Sequence, residues 1–485
     1  MLNKLIELSK DTAVYGVSTI IGRFLAFLLF PIYTNVFTPD EFGTYTLVYA
    51  YLAFLNVVYV YGMDAAFMKY TSLAEGEEKK ETFSTPYIFV TITSILFSFL
   101  FYIFLNPISA SINLPIQFSY LLFYVIFILF FDNLALIPFN SLRLERKTQK
   151  FAAIKVINIL INLSLNLILI LIYDFGIEAI FISNLVASIF SFLALLPEIL
   201  NKLKIQIDLE ILKKMLKFGL PYLAAAFASV MVQIIDVPIV ESLTDTATLG
   251  IYRANYKLGI FMMLFVQMFL FAWQPFFLEN AKEKNAKEIF AKVLTVFLVI
   301  ASSIWVLLSL FIEDIVTITI MGRTLLGEQF LSGLPIIPII LLAYLFNGLY
   351  MNFIAGIYIE EKTKYFPLIT GLGAIVNVLV NLTLIPSLGI MGAAWATLAG
   401  YIVMAGSLFI VSQRFYKINY EYSKIIRIFL MIIIIGILYH FLNSGELLSI
   451  GVKLIILVGF VSGLFVLKVI EKEEFKKVLS VFRKR

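Results

Sequence analysis

Three sets of side chains in this sequence are capable of chemistry at positions where chemistry is costly. The first is cationic: Arg23 within IIGRFLAF, and Arg253 with Lys257, which are one helical turn apart and share a face. The second is rich in oxygen: Asp236 after AAAFASVMVQII, Asn377 and Asn381 on one face of a later apolar run, and Thr397 in GIMGAAWATLAG. The third is acidic: Asp64 in YGMDAAFMKY, close to Lys69, and Asp132 in ILFFDNLAL. All sit in stretches apolar enough for lipid, where an ionised group costs at least a few kcal/mol unless it meets a partner or a wet cavity. Guanidinium groups in a cavity suit a phosphate-bearing ligand through bidentate charge-assisted hydrogen bonds. A carboxylate with amide and hydroxyl oxygens is the ligand set of a hard cation such as sodium.

Each reading has a plainer rival. Arg23 lines a cavity or is held in an internal ion pair, while Arg253 and Lys257 line it or snorkel to the outer boundary. Each asparagine taken alone reads first as an interhelical hydrogen bond. Asp236 is otherwise interfacial, near Glu241, and Asp64 is otherwise paired with Lys69 or wetted near the inner boundary. The single histidine, His440, lacks companions for a metal site, and the absence of cysteine removes disulfide and thiolate chemistry. With no Walker loop, dinucleotide glycine pattern, HExxH or Ser-His-Asp set, the chain is expected to be neither an enzyme nor an ATPase. No cofactor and no nucleic-acid partner are expected. Work would draw on an ion gradient, the membrane potential or a cargo's own gradient.

The elements that must position these residues are helices in a bilayer. The chain is 61% hydrophobic and 14% charged with mean hydropathy +0.97, well outside the soluble range. Spans of about 20 apolar residues are expected at 11–36, 42–69, 82–106, 116–141, 151–173, 177–200, 217–241, 247–277, 288–313, 332–358, 365–386, 389–413, 424–442 and 447–469. The fold class is all-α integral membrane with fourteen transmembrane helices. Basic loops alternate with loops nearly free of Lys and Arg, Arg323 being the exception, which places both termini in the cytoplasm. Residues 1–10 read as an interfacial amphipathic piece, retained and not cleaved.

The chain also repeats itself. Sliding by 207 positions sets Tyr15 on Tyr222, Pro31-Ile32 on Pro238-Ile239, and Gly43 with Tyr45 on Gly250 with Tyr252. At an offset of 215, Lys147-Thr148, Phe151, Asn162 and Asn166-Leu167 recur as Lys362-Thr363, Phe366, Asn377 and Asn381-Leu382. Two pseudo-symmetric six-helix lobes are therefore expected, 1–200 and 217–413. An amphipathic cytoplasmic helix, 201–216, would join them, and 414–485 would add two C-terminal helices and a basic tail.

The opening from Ala13 to Tyr70, with its TPDEFGTY turn, and the later GIMGAAWATLAG resemble the O-antigen and capsule repeat-unit flippases. These belong to the multidrug/oligosaccharidyl-lipid/polysaccharide exporter superfamily. The resemblance covers the whole length. It implies two lobes around a central cavity opened alternately to each side of the cytoplasmic membrane, and an oligosaccharide on undecaprenyl diphosphate as cargo. It also implies that Arg23 and Arg253 resemble the cavity arginines of related lipid II flippases. By the same resemblance Asp236, Asn377, Asn381 and Thr397 look like a sodium site, with Asn381 standing where that site has a second acid. Sodium or protons would be the coupling ion, and Lys257, Asp132 and Asp64 further substrate contacts. No counterpart of those flippases' second-helix arginine is found, which argues against lipid II as cargo. A monomer surrounded by membrane lipids, working beside a polymerase and glycosyltransferases, is the expected setting. The alternatives are a multidrug antiporter of the same superfamily and a non-transporting scaffold of a polysaccharide-assembly complex.

Overall fold

The computed structural model describes residues 27–76, 78–320, 322–444 and 449–470. Lipid offers backbone amides no partners, so an apolar chain pairs them within helices. The first half of the sequence gives α1 (Phe30–Val36), α2 (Pro39–Val60), α3 (Met63–Leu73), α4 (Glu78–Ile103), α5 (Leu105–Ser111), α6 (Leu121–Leu144), α7 (Thr148–Leu171) and α8 (Glu178–Lys202). There follow α9 (Leu209–Ile234), α10 (Asp236–Leu243), α11 (Thr246–Lys257), α12 (Ile260–Asn280) and α13 (Ala286–Val316). After a hairpin of β1 (Thr319–Ile320) and β2 (Arg323–Thr324) come α14 (Ile337–Ile359), α15 (Tyr365–Leu388), α16 (Ile390–Phe415), α17 (Tyr422–Ser444) and α18 (Ile450–Val466).

Twelve segments among the described residues are long and apolar enough to cross a membrane, with α2 and α3 forming one of them, Pro39–Leu73. The protein is thus a multi-pass membrane protein. Of the first expected span only residues 27–36 are described, and α18, where the last was expected, has 17 residues. The amphipathic piece at residues 1–10, Arg23 and the tail from residue 471 lie outside the described residues.

The helices form two compact units. One reaches to Arg253 and takes in Leu326–Gln329; the other holds Ala254–Leu325 and the chain from Phe330. The division falls inside α11, later than the 201–216 connection, because α9 packs on α3 of the first half.

Two local expectations need correction. The 201–216 connection is not one amphipathic helix: α8 ends at Lys202, residues 203–208 are non-helical, and α9 begins after Asp208. Its backbone is diverted to side chains, with Lys204 N donating to Ser84 Oγ at 2.8 Å and Asp208 N to Thr85 Oγ1 at 3.1 Å. Asp208 then caps α9 by accepting from Glu210 N and Ile211 N at 2.8 and 2.9 Å. The seventh and eighth spans, expected as continuous, are each broken, at Ile235 and at 258–259.

Ion pairs tie helix ends together. In the first unit Glu198 of α8, nearly buried, meets Lys147 and Lys150 at 3.2 and 2.8 Å and Lys202 at 3.2 Å, and Glu145 joins Lys147 at 3.0 Å and Lys202 at 2.5 Å. In the second unit Lys453 of α18 meets Asp314 of α13 at 2.5 Å, with the lysine side chain 7% and the aspartate 39% exposed.

This asymmetry sets an expected order of stability. Asp314→Asn strands a buried ammonium and should cost about 3–5 kcal/mol. Lys453→Met leaves only a carboxylate that reaches solvent and should cost less; thermal unfolding in detergent giving the opposite order would contradict the pairing. Burial pushes the Glu145 carboxyl up, but Lys202 and Lys147 outweigh it and hold its pKa below the ordinary value. A depressed folded-state pKa contributes stability that is present above the unfolded value and lost as pH falls through the folded one. The unfolding midpoint should therefore drop between about pH 5 and pH 3, and drop less steeply in Glu145→Gln.

Candidate functional site

The site opens at a proline, Pro238. Proline has no N–H to give to the carbonyl four residues back, so the ladder fails at Ile234 and α10 starts with Asp236. Asp236 is buried, 4% exposed, which removes the interfacial reading. Its Oδ2 accepts from the Tyr252 hydroxyl at 2.7 Å and lies 3.4 Å from Arg253 Nη1. Both partners come from the first two turns of α11, brought back by the turn at Thr244–Asp245. Tyr252 is fully buried, whereas the Arg253 side chain keeps 19% of its surface. The carboxylate is therefore compensated by a guanidinium that still reaches out of the protein interior. Glu241 belongs to a separate contact, accepting from Asn113 Nδ2 at 3.3 Å.

The second unit carries the other oxygen ligands expected from the sequence. Asn377, Asn381 and Thr397 are all buried on α15 and α16. Asn381 Nδ2 donates back to Asn377 O at 2.9 Å and Asn377 Oδ1 at 3.0 Å. Thr397 Oγ1 donates to Ala393 O at 3.2 Å. The register of the two helices follows from close approaches: a Cβ on Gly400 would stand 3.2 Å from Asn377 Cβ, and one on Gly392 2.5 Å from the Leu384 carbonyl carbon. Asn381 is thereby level with Trp395 and Ala396, and Thr397 with Val380 and Leu379. Among the described residues, the buried Asn381 Oδ1 has no hydrogen-bond partner.

The first unit holds the same asparagine pair in a finished form. Asn166 Nδ2 donates to Asn162 O at 2.8 Å and to Asn162 Oδ1 at 3.1 Å, repeating the Asn381 geometry one repeat earlier. Here, however, Tyr33 of α1 donates its hydroxyl to Asn166 Oδ1 at 2.8 Å. The repeat sets Tyr33 on Val240, which has no hydroxyl to give. Two equivalent carbonyls thus differ: one is consumed inside the protein, and the other is left to accept.

The remaining predicted residues stand apart. Asp132 on α6 keeps an accessible surface, interacts with Ser188 of α8 and faces the charge of Lys155. Lys155, not singled out in the sequence, lies within α7 and places its Nζ 4.2 Å from the centre of the Phe139 ring. The signal for it was there, a lone lysine inside FAAIKVIN. Asp64 is partly buried in the first turn of α3 and forms no ion pair among the described residues, while Lys69 lies over Phe218 at 3.9 Å. Lys257 is partly buried at the C-terminus of α11. Arg23 lies outside the described residues.

Residues 32–335, well over half of the chain, match the family model described as polysaccharide biosynthesis protein. The chain belongs to that family. An uncharacterised membrane protein of Methanocaldococcus jannaschii is 24% identical over 98% of this chain and 99% of its own length. Among solved structures, the lipid II flippase MurJ in an inward closed conformation matches with TM-score 0.73 and 16% identity, over 93% of this chain and 98% of MurJ. An inward-facing multidrug resistance MATE family transporter of the MOP superfamily matches with TM-score 0.64 and 13% identity, over 81% and 94%. The Vibrio cholerae MATE transporter VcmN matches at 0.54 and 12%, over 84% and 96%. At these identities the likeness is one of fold: an all-helical membrane protein of the kind that the MurJ and MATE structures share.

The contrast between the two asparagine pairs has a measurable consequence. Asn166→Leu removes the acceptor of the Tyr33 hydroxyl bond, a loss of about 1 kcal/mol, whereas Asn381→Leu removes an oxygen that accepts no such bond among the described residues. Asn166→Leu should lower the unfolding midpoint more; equal shifts would contradict the difference in pairing.

Proposed function

We propose that this member of the polysaccharide biosynthesis family is a flippase that carries an oligosaccharide on a polyprenyl diphosphate, undecaprenyl diphosphate in bacteria, across the cytoplasmic membrane. The observation that carries the proposal is the buried Asp236 carboxylate compensated by Arg253 at a break between membrane helices. Discontinuous helices bearing paired charge are a recurring place for substrate and ion sites in transporters. Arg253 brings the planar donor set that matches phosphate oxygens, and its side chain is only partly withdrawn. The sugars would cross in the wet interior while the polyprenyl chain stays in lipid.

Cation coupling, by sodium or protons, belongs to the same proposal. Among the described residues Asn381 Oδ1 is a buried acceptor without a donor, able to take one or a cation, and Thr397 is buried on the neighbouring helix α16. Asp236 is already offset by Arg253, so a cation at that carboxylate requires the guanidinium to withdraw. Cargo phosphate and cation would then favour each other, because the group that leaves Asp236 is the group that holds phosphate. Such coupling is reciprocal by thermodynamic necessity. Both termini would be cytoplasmic, and the polymerase and glycosyltransferases that share the cargo are the expected neighbours.

The multidrug reading has in its favour the fold shared with MATE transporters. One experiment separates the two. In cells that depend on this protein for surface polysaccharide, Arg253→Ala at normal membrane levels should abolish the polymer and accumulate the lipid-linked intermediate. Unchanged polymer with altered sensitivity to cationic drugs would favour the antiporter, and unchanged polymer without it the scaffold.

A further inference from the structure

A polar seam runs through the first unit. On α7, Lys155, Asn158, Asn162 and Asn166 recur at three- and four-residue spacing and so share one face of a membrane-spanning helix. On α8, Asn184, Ser188 and Ser191 do the same. The two faces meet, with Asn158 Nδ2 donating to Ala187 O at 2.7 Å and to Ser191 Oγ at 2.9 Å. From α8 the seam reaches two more helices. Asn184 Nδ2 donates to the Tyr49 hydroxyl of α2 at 2.9 Å, and Ser188, one turn on, bonds to Asp132 of α6. Tyr49 and Asp132 are thereby held against one face of α8. Lys155, one turn before Asn158, faces Asp132 with its charge.

Helix packing alone does not call for this seam. The 215-residue offset that keeps Asn162 and Asn166 as Asn377 and Asn381 replaces Lys155 by Thr370 and Asn158 by Gly373. Nor is the seam closed: Asp132 and Lys155 are exposed, and Tyr49 and Asn184 are only partly buried, although all four belong to membrane-spanning segments. Ionised groups with open surface at such depth need water beside them, so the four line a wet recess. Hydrogen-bonding capacity is left over there. Among the described residues Asp132 and Lys155 enter no ion pair within 4 Å. Tyr49 accepts from Asn184 and keeps its own proton to give, while Asn184 keeps its Oδ1 to accept. Tyr45, one turn from Tyr49 on α2, sets its ring edge-on with centroids 5.9 Å apart, which makes an aromatic wall.

We propose that this recess, between Tyr49, Asn184, Asp132 and Lys155, is a saccharide subsite that takes an uncharged sugar ring of the cargo. The proposal rests on the flippase reading above and names the part of the cargo that the first unit grips. A sugar ring has an apolar C–H face and a rim of hydroxyls. Tyrosine rings match the face. The Asp132 carboxylate and Asn184 Oδ1 accept from hydroxyls, and the Lys155 ammonium and Tyr49 hydroxyl donate to sugar oxygens. One carboxylate and one ammonium leave the recess without net charge, so a neutral ring finds a partner for every polarity while an acidic sugar meets Asp132 as a like charge. A few convergent polar groups beside an aromatic wall are the ordinary make-up of a small-ligand site.

The chain has no cysteine, so a single reporter is clean. Ile159→Cys falls on the α7 face between Lys155 and Asn162, and Leu160→Cys, at the same depth on the far side of that helix, is the control. Full-length protein in lipid nanodiscs is treated with a water-soluble maleimide, alone or with a disaccharide. The neutral probe is di-N-acetylchitobiose, and the acidic probe is a disaccharide of the same size bearing glucuronate. Ile159→Cys should label and Leu160→Cys should not, and the neutral probe should protect at lower concentration than the acidic one. Adding Tyr49→Phe, which keeps the ring and removes the hydroxyl, should raise the half-protecting concentration about tenfold. Adding Asp132→Asn leaves the recess net positive and should turn the preference toward the acidic probe, a reversal that loss of packing alone would not produce. If Ile159→Cys does not fold, Asn162→Cys takes its place. Absence of labelling, absence of protection by the neutral probe, or protection indifferent to both Tyr49→Phe and Asp132→Asn overturns the subsite. Protection in a protein that moves no lipid-linked oligosaccharide in vesicles would keep the sugar site and remove the flippase reading. Movement of that cargo with the reporter never protected would do the reverse.

Discussion

The carboxylate of Asp236 depends on Arg253, and much of the chain around them is arranged to make that pairing possible. An isolated charge among apolar helices is unstable, while a pair with a further hydrogen bond is tolerable. Tyr252 supplies that bond, and its full burial fixes the direction of approach. Pro238 interrupts the ladder so that Asp236 begins a new helix, and the short turn at Thr244–Asp245 returns α11 alongside. The pair is buried on the Asp236 side and partly exposed on the Arg253 side, with 3.4 Å between the charged atoms.

Internal repetition explains both what is rigid and what is open. Where the repeat is kept, at Gly43 and Gly250 or at the Asn162–Asn166 and Asn377–Asn381 pairs, the same backbone geometry recurs. Where it is broken, function has room. Losing the Tyr33 hydroxyl at Val240 leaves Asn381 with an unused oxygen, whereas Asn166 is closed by its tyrosine.

Much of this was legible from the residues. The membrane class followed from composition, and the ninth to thirteenth expected spans are met closely because long apolar runs admit little else. Asp236 and Arg253 were each marked by being charged in the wrong solvent, but their mutual pairing was not foreseen. Partners sixteen or more residues apart are set by how a turn closes, which periodicity does not report. The same holds for Lys453 with Asp314 and for Glu198 with its three lysines, each visible only as a charge near the end of an apolar run. The breaks in the seventh and eighth spans were also missed, although Pro238 announced the first of them. The linker failed for a local reason: an amphipathic pattern reads as a helix, but Ser84 and Thr85 of another helix claimed its backbone.

The central claim is that Arg253 leaves Asp236 for a cargo diphosphate. Its most direct test is flipping by purified protein in vesicles containing a polyprenyl-diphosphate-linked oligosaccharide, compared with the same oligosaccharide on a monophosphate carrier. The account predicts movement of the diphosphate cargo, weaker movement of the monophosphate, and loss of both in Arg253→Ala. Equal rates for the two carriers, undiminished in Arg253→Ala, would contradict it.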